Sequence, residues 1–356
     1  MTRACDECLR RSALISALAG RIEILRREKR FIRDVLALEN DALIAAVGAR
    51  PLEFDRARHG GAGTVPICRH DALYPERLVE DRSAPAVLYL AGDVDRWAVL
   101  AGTAVRAPAV AIVGTRRASP EGLEIARDLG RRLSVAGITV VSGMALGVDG
   151  AAHDGALAGG ARTIAVLAGP AGTAYPRRRA VTHAELVERA AVVSEAPPGG
   201  SVFAWQFLAR NRIIAGLADM TVVVEAAERS GSLVTAEMAL DLGRDVGAVP
   251  GTPLSWRAAG TNEMLRDGAA VVRTAEDVIE RLALVSPLPA VAPAAERLPE
   301  PLREVADAIG DGCDTVSALA GRIGDAGRVQ ASLTELELRG VIVRVPGGRL
   351  APARAL

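Results

Sequence analysis

The sequence predicts a doubly wound α/β fold, in which a Rossmann-like parallel sheet is joined to a small helical N-terminal region and a C-terminal winged-helix domain. From residue 109 onward, short apolar runs alternate with amphipathic segments of helical length. Residues 9–47 repeat apolar side chains at helical spacing, which predicts the N-terminal helices. Residues 302–339 contain three short helical patterns, and residues 341–351 read as two strands around a Pro-Gly-Gly turn, which together predict the winged helix.

The predicted strands of the central region are apolar on both faces, as is typical of a parallel sheet that helices cover on both sides. These strands are 85–91, 109–114, 138–142, 163–168, 191–195, 220–226, 245–250 and 270–273. The predicted helices among them are 121–136, 149–158, 177–190, 203–217, 232–243 and 274–282. Their alternation indicates repeated strand–helix–strand units.

Proline content marks a linker after this region. Residues 285–301 contain five prolines among alanines, and proline blocks helix continuation and stiffens an extended chain. We therefore divide the chain into a helical N-terminal region, an extended Rossmann-like domain, a Pro/Ala linker and a winged-helix domain. Their predicted ranges are 1–74, 75–283, 284–301 and 302–356.

Lysine is almost absent from the chain. Lys29 is the single lysine among 43 basic residues, which 43 acidic residues balance. A Walker A phosphate loop requires Gly-Lys-Ser/Thr, whereas Lys29 is followed by Arg30. Its charged helical surroundings also exclude the desolvated lysine of Schiff-base chemistry and the strand lysine of protein kinases. Any anion site must therefore use arginine side chains and backbone N–H groups.

The sequence also bears on the compartment. The first residues lack an apolar signal core, and no apolar run reaches the ~18 residues that a membrane span needs. Four cysteines in 356 residues are too few for a disulfide scaffold. We therefore expect a cytoplasmic protein that does not associate with membranes.

Glycines and arginines recur where the predicted strands end. In doubly wound folds, ligands bind at the carboxyl ends of the strands, where glycine backbone and helix N-termini can approach an anion. The candidate residues are Gly114, Thr115, Arg116, Ser142, Gly143, Gly147, Arg229, Ser230, Gly231 and Ser232. Their recurrence predicts an anion-binding cradle, although glycines at such positions also serve simply to make tight turns. The spacing after Gly114 departs from G-x-G-x-x-G, so a dinucleotide site is only weakly indicated.

The segment from Phe203 to Arg212 holds three of the ten aromatic residues of the chain, followed by two arginines. Rings that stack on bases, beside guanidinium groups that hold phosphates, are typical of single-stranded nucleic-acid binding. Core packing is the favoured alternative for the aromatics, because Phe203 and Phe207 share one helical face.

The polar end of this segment consists of Arg210, Asn211 and Arg212. We predict that these three residues contact phosphate groups. A structural ion pair between one of the arginines and Glu195 or Glu225 is the alternative.

Seven runs of residues, in order between residues 75 and 283, resemble the DNA-processing protein DprA (Smf) family. The runs are Ala111–Arg116, Val141–His153, Tyr175–Pro176, Arg210–Gly216, Arg229–Leu233, Gly243–Asp245 with Pro250–Gly251, and Gly260–Asn262 with Asp267–Ala269. The family often carries a helical N-terminal domain and a C-terminal winged helix, as predicted here. The acidic family position before Tyr175 is Gly172 in this chain, and Arg177–Arg179 supply the basic charge expected nearby.

The resemblance implies a non-enzymatic protein that binds single-stranded DNA, protects incoming strands in natural transformation and recombination, and loads a RecA-type recombinase. It also implies a homodimer formed through the Rossmann-like domain, with no required cofactor. The residues that it assigns to the DNA groove are Gly114, Thr115, Arg116, Ser142, Gly143, Arg210, Asn211 and Arg212, with Ser230, Gly231 and Ser232 near it. We expect the binding to be independent of sequence and to weaken steeply with salt.

Cys5, Cys8, Cys68 and His70 form a Cys₃His set of the kind that holds structural zinc in a tetrahedron. Zinc bound there would tie the N-terminal helix to the edge of the Rossmann-like sheet. The gap of ~60 residues between the two pairs weakens the pattern, because structural zinc ligands are usually closer in sequence. Uncoordinated thiols on a mobile N-terminus are the alternative, and the family resemblance does not supply this site.

An enzyme or sensor that acts on nucleotides is the rival function, since related sheets bind phosphorylated nucleosides. It would need an acid or base at the strand ends, for which Asp149, Glu195 and Glu225 are the candidates. Helix capping or pairing with an arginine accounts better for each of them. We expect a structural hydrogen bond for His153 and exposed positions for His59 and His183.

The third helix of the winged-helix domain, residues 327–338, bears on a further rival, a transcription regulator. This helix sets Arg328 against Glu335 and Glu337, whereas a recognition helix faces phosphates with excess positive charge. We therefore expect a protein-contact or accessory role for this domain.

Overall fold

The computed structural model describes residues 4–27, 31–48, 63–285, 299–310, 312–338, 341–345 and 349–352. The chain divides into two compact units, Met1–Val291 and Ala292–Leu356, and each is described by itself. Residues 286–298, which make up most of the predicted linker, lie outside the described residues. The domain boundaries at residues 74, 283 and 301 stay predictions.

The helices and strands are numbered in chain order. The helices are α1 (Asp6–Ala17), α2 (Ala19–Arg27), α3 (Ile32–Ala37), α4 (Asn40–Ala46), α5 (Glu76–Val79), α6 (Val94–Leu100), α7 (Pro120–Val135), α8 (Val148–Ala158), α9 (Ala180–Arg189), α10 (Ala204–Leu217), α11 (Gly231–Asp241), α12 (Ala259–Arg266), α13 (Ala275–Val285), α14 (Glu300–Gly310), α15 (Val316–Ile323) and α16 (Ala326–Leu338). The strands are β1 (Val65–Cys68), β2 (Val87–Gly92), β3 (Ala109–Val113), β4 (Thr139–Ser142), β5 (Thr163–Leu167), β6 (Ala191–Ser194), β7 (Met220–Val223), β8 (Asp245–Ala248), β9 (Ala270–Val271), β10 (Ile342–Val345) and β11 (Arg349–Pro352).

The described part of the first unit is built around a nine-stranded sheet with the order β1-β2-β6-β5-β4-β3-β7-β8-β9. Strands β3 to β9 are parallel, whereas β1 and β2 form an antiparallel edge. The chain builds outward from β3 to β6 and then crosses to β7 on the other side of β3. This reversal is the topological switch point of a doubly wound fold, so the predicted fold class is confirmed.

Two apolar cores lie on opposite faces of this sheet. In β3, Ala111 packs in one core with Ile213 of α10, while Val110 and Ile112 pack in the other with Leu129 of α7. Successive side chains of a strand point to opposite faces, so a strand buried on both sides must be apolar throughout. This is why the strands read as continuous apolar runs in the sequence.

Helices α7 and α8 approach each other closely through glycines. A Cβ atom on Gly155 would lie 2.0 Å from the carbonyl oxygen of Arg127, and one on Gly130 would lie 2.2 Å from that of Ala152. The helices could not approach to this distance with any larger residue at these positions.

Helix α10 lies between the sheet and the N-terminal helices. Its Trp205 is buried, with the indole Nε1 donating to the carbonyl oxygen of Ala19 at 2.9 Å. The backbone N–H of Trp205 donates to Glu23 Oε2 at 2.9 Å, and Leu14 and Ile22 belong to the same core. The N-terminal helices are therefore packed against the crossover helix of the sheet.

Four elements of the first unit escape sequence prediction, namely β1 and the helices α5, α6 and α12. Strand β1 is short, contains Pro66 and pairs with β2 alone, as expected of an edge strand that tolerates proline. Helix α12 begins at Ala259, directly before a Gly-Thr-Asn run that is typical of a loop.

The second unit consists of α14, α15 and α16 followed by the antiparallel strands β10 and β11. Its core includes Leu302, Val305, Leu333, Leu336 and Leu350. Three helices and a terminal hairpin are the predicted winged-helix arrangement. Across the described ranges of both units, no helix has the length and apolar character to span a membrane.

Candidate nucleic-acid interface

A cleft of about 370 Å³ opens at the carboxyl ends of β3 and β7, which is the switch point of the sheet. Of the residues predicted for the groove, the structure brings eight to its lining. These are Gly114, Thr115, Arg116, Arg210, Asn211, Ser230, Gly231 and Ser232. The strand-end turns therefore converge as the sequence indicates, although their side chains serve different purposes.

The β3 turn presents two exposed arginines, Arg116 and Arg117, to the cleft. Within the described residues, neither guanidinium is in an ion pair with a carboxylate. The Thr115 N–H donates to the carbonyl oxygen of Glu225 at 2.7 Å, and its Oγ1 accepts from the Arg117 N–H at 3.2 Å. The turn is thus fixed by its backbone, and both positive charges remain available to an anion.

Aromatic side chains form one rim of the cleft. The Arg116 guanidinium lies over the Phe207 ring, 5.4 Å from its centroid, and the Tyr175 ring lies 5.3 Å from the same ring at 55°. Tyr175 is 46% exposed and Phe207 is half-buried. Of the three aromatics in the α10 segment, Trp205 and Phe203 pack in the core with the N-terminal helices, whereas Phe207 faces this rim.

The opposite wall is the N-terminus of α11. Ser230 caps this helix by accepting from the Ser232 N–H, and Asn211 Nδ2 donates to the carbonyl oxygen of Gly231 at 3.3 Å. A Cβ on Gly231 would meet no atom within 4 Å. An eleven-residue helix carries partial positive charge at this end, so the wall favours negative charge in the cleft.

Arg210 contributes to the floor, but its side chain is buried. Its Nη1 donates to the carbonyl oxygens of Gly143 at 2.6 Å and Val166 at 3.0 Å, beyond the ends of β4 and within β5. Burial lowers the pKa of the Arg210 guanidinium, and the Asp149 carboxylate opposes that shift. Arg210 therefore clamps α10 to the sheet, and this burial argues against its predicted phosphate contact.

Arg212 lies outside the cleft lining and is 1% exposed. Its Nη2 donates to both carboxylate oxygens of Glu195, each at 2.8 Å. The structure thus forms the alternative, an ion pair with Glu195, and the burial of the guanidinium argues against the predicted phosphate contact of Arg212.

The residues of the β4 turn also serve packing. Ser142 is buried and donates to the carbonyl oxygen of Ile112 at 2.6 Å. A Cβ on Gly143 would lie 1.7 Å from Arg210 Nη1, and Gly147 has φ of 82° with its Cβ position 2.2 Å from the carbonyl oxygen of Thr115. These three residues lie outside the cleft lining and fix the geometry of the turn, and their phosphate contacts stay predictions.

Arg229 is exposed but belongs to a neighbouring cavity. That cavity is also lined by Glu228, Glu237, Glu263 and Asp267. The structure therefore separates Arg229 from the cleft and places it among carboxylates.

A family model described as DNA recombination-mediator protein A matches residues 66–283. A second model, described as the DprA winged helix domain, matches residues 289–348. The chain belongs to the DprA family. The resemblance seen in the seven sequence runs is thereby confirmed, as is the winged-helix domain.

Relatives of known sequence and structure support the same assignment. Protein Smf of Escherichia coli is 36% identical over 292 residues, which are 80% of this chain and 76% of that protein. The DNA processing protein DprA of Bacillus subtilis is 35% identical over 225 residues, covering 63% of this chain and 73% of that protein. The DprA structure from Streptococcus pneumoniae has a TM-score of 0.61 at 29% identity and covers 77% of this chain and 95% of that chain.

A DprA structure from Helicobacter pylori concerns the single-stranded DNA binding mode of that protein. It has a TM-score of 0.53 at 29% identity and covers 59% of this chain and 93% of that chain.

The buried acids of this DprA-family chain are engaged in its framework. Asp149 accepts from the N–H groups of Ala145 and Gly143, and burial raises the pKa of its carboxyl, opposed by Arg210. Glu225 Oε2 accepts from the Ser119 N–H at 2.8 Å, at the start of α7. Glu195 is paired with Arg212. Each of the three candidate acids therefore has a structural partner, which is the alternative to catalysis that the sequence suggested.

The histidines follow the same pattern. His153 is fully buried, its Nδ1 lies 2.8 Å from Thr163 Oγ1, and burial lowers its pKa to about 3. His183 is buried rather than exposed as predicted, because its Nε2 lies 2.8 Å from the carbonyl oxygen of Ala171. His59 lies outside the described residues.

Sequence reasoning missed Arg117 and Tyr175 as members of the site. Arg117 follows Arg116 directly, so its position in the turn was the available signal. Tyr175 belongs to the Tyr-Pro run of the family, but only the fold shows that the β5 loop brings its ring to Phe207. Beside it, Arg177 and Arg178 are exposed, whereas Arg179 pairs with Asp154.

The structure also brings together Cys5, Cys8, Cys68 and His70, near the antiparallel edge of the sheet. Their potential ligand atoms all lie within 4.8 Å of one another.

Proposed function

We propose that this chain is a DNA-processing protein that binds single-stranded DNA, independently of sequence, in the cleft at the switch point. Membership of the DprA family and the DNA-binding mode studied in the Helicobacter pylori relative support this proposal. The observation that carries it is the exposed Arg116, whose guanidinium lies over the Phe207 ring beside Tyr175, at the mouth of a cleft walled by the α11 N-terminus.

The chemistry of this arrangement suits a flexible polyanion. The guanidinium fork of Arg116 and the N–H groups of α11 can hold phosphate oxygens. The rings of Phe207 and Tyr175 offer surfaces on which bases can stack, and every base has such a face. Binding would therefore depend on backbone charge and stacking rather than on base identity.

The protein acts without catalysis in this proposal. Asp149, Glu195 and Glu225 each hold a structural partner, which leaves the cleft with arginines and amides rather than an acid or base directed at a substrate. Incubation with a panel of nucleotides should give no turnover. Turnover that Asp149→Asn abolishes would favour the nucleotide enzyme instead.

Recombinase loading and dimer formation extend the proposal, and family membership supports both. The bound strand would be protected and passed to a RecA-type recombinase in transformation and recombination, and two copies would associate through the Rossmann-like domain. Light scattering of the full chain should give the mass of a dimer. The chain should also shorten the lag with which RecA assembles on DNA covered by single-strand binding protein.

The direct test is titration of labelled oligo-dT, followed by fluorescence anisotropy over a salt series. Arg116→Ala should weaken binding to every sequence tested and reduce the slope of log K against log salt by about 0.7, the value for one phosphate contact on a single strand. Arg131→Ala is the matched control, since Arg131 is 52% exposed on α7 and pairs with Asp128.

Arg116→Lys separates charge from stacking in the same assay. A lysine retains the positive charge but lacks the guanidinium group that lies over Phe207, so it should restore the salt slope and only part of the affinity. Equal affinity and equal salt slope for Arg116→Ala and Arg131→Ala would place the DNA elsewhere on the molecule.

A further inference from the structure

Four potential metal ligands from two distant segments meet at the antiparallel edge of the sheet. The Nδ1 atom of His70 lies 3.4 Å from Cys5 Sγ and 3.5 Å from Cys8 Sγ, and the Sγ atoms of Cys5 and Cys68 are 4.0 Å apart. No other cluster of three or more such ligands occurs in the ranges that the structure describes.

These separations match those required around a zinc ion. Bonds of about 2.3 Å to sulfur and about 2.0 Å to nitrogen in a tetrahedron set neighbouring ligand atoms roughly 3.5–3.8 Å apart. The three separations above fall close to this range, and the largest of the six, 4.8 Å, leaves only a small inward movement.

The fold holds each ligand in place independently of a metal. Cys5 is the residue before α1 and Cys8 lies in its first turn, so the spacing of three puts both on one face of the helix. Cys68 ends β1, where it pairs with Val87, and His70 follows in the turn. Near the cluster, Ser12 of α1 and Tyr89 of β2 hydrogen-bond through their hydroxyl groups at 2.9 Å.

We propose that Cys5, Cys8, Cys68 and His70 bind one structural zinc ion that fastens α1 to the β1–β2 edge of the sheet. Three thiolates and one imidazole make a closed tetrahedral set with no position left for a substrate, which is typical of structural rather than catalytic zinc. Cys8 and Cys68 are buried, so the ion would be largely shielded from solvent. This site is separate from the DNA cleft.

Disulfide formation is the competing use of these thiols. The Cys5 and Cys68 sulfur atoms are 4.0 Å apart, about twice the ~2.05 Å of a disulfide bond. A disulfide would also leave His70 and the remaining thiol without a common function. Metal binding uses all four residues, which is why the geometry favours it.

The test measures zinc in the full chain purified without chelators, by mass spectrometry of the metal. We expect one zinc per chain in the natural protein and its loss in Cys8→Ser and Cys68→Ser. Cys313→Ser is the matched control, because Cys313 belongs to the winged-helix unit and contacts Arg322 there. It should retain the full zinc content.

A second measurement does not depend on the variants folding. The natural chain, stripped of metal and titrated with Co²⁺, should show thiolate-to-cobalt charge transfer and the visible absorption of tetrahedral cobalt, and stoichiometric Zn²⁺ should abolish both. Failure to bind either metal, with four titratable thiols or with a disulfide between two of Cys5, Cys8 and Cys68, would overturn the proposal. Oligo-dT affinity reports on the cleft alone, so the two proposals can fail separately.

Discussion

The guanidinium groups of Arg116 and Arg212 occupy opposite environments although both belong to arginine-rich runs of the sequence. Arg116 is exposed beside Phe207, whereas Arg212 is 1% exposed and holds both oxygens of Glu195. The sequence places Arg116 in a strand-end turn and Arg212 in a helix, and the burial of Arg212 depends on which face of α10 meets the sheet. The sequence does not reveal that face, because α10 is covered on two sides and lacks a clear polar stripe.

Replacing Arg212 should damage the fold rather than the DNA site. Arg212→Ala leaves the carboxylate of Glu195, 15% exposed, without its partner, and breaking a buried pair in this way costs about 3–5 kcal/mol. Urea denaturation should show this loss in the free energy of unfolding, while Arg131→Ala should change it little. An unchanged unfolding free energy together with weakened oligo-dT binding would restore the phosphate contact that the sequence predicted for Arg212.

His153 should make stability depend on pH. Burial lowers the pKa of His153 from 6.5 to about 3. Between these two pH values the unfolded chain binds a proton at this histidine and the folded chain does not. The stabilisation is present above pH 6.5 and is lost as the pH falls toward 3. The loss is about 1.4 kcal/mol per pH unit in this window.

The variant His153→Asn isolates this effect. Asparagine can still donate to Thr163 Oγ1 but does not titrate. Between pH 7.5 and pH 5, the natural chain should lose about 2 kcal/mol more unfolding free energy than the variant. Parallel losses in the two proteins would show that His153 is not the group responsible.

Elements in the middle of the sheet were predictable because burial on both faces leaves a continuous apolar run, as in β3 and β7. The edge strand β1 and the aromatic rim of the cleft were not. Strand β1 is defined by its pairing with β2 rather than by its own composition, and the aromatic rim depends on a loop after β5 that reaches α10. Such contacts join residues that are distant in sequence, so they cannot be predicted from local sequence patterns.

The contact between α7 and α8 should tolerate no added methyl group. Gly155→Ala places a Cβ 2.0 Å from the carbonyl oxygen of Arg127, so the helices must separate, at a cost of about 1–3 kcal/mol. Gly231→Ala is the matched control for stability, since a Cβ there meets no atom within 4 Å and α11 accepts alanine readily. Thermal unfolding should give a lower midpoint temperature for Gly155→Ala than for Gly231→Ala. Equal midpoints would mean that α7 and α8 can move apart without cost.

The winged-helix unit should contribute little to capture of single strands. Arg328 of its third helix pairs with Glu304 at 2.8 Å, and Glu337 pairs with Arg344 at 2.5 Å, so the helix offers little unpaired positive charge. A chain ending at Val291 should bind oligo-dT within about twofold of the full chain and with the same salt slope. A tenfold loss with an altered slope would assign phosphate contacts to this unit.

The seating of Trp205 against Ala19 and Glu23 has a practical consequence for shortened versions of this protein. Helix α10 is packed between the sheet and the N-terminal helices, so removing the first 48 residues would expose one of its faces. The indole of Trp205 would then be in contact with water. Arg210 and Asn211 of the same helix line the floor of the cleft. Loss of the N-terminal helices should therefore also disturb the proposed DNA site. The N-terminal helices thus support the cleft by packing against α10.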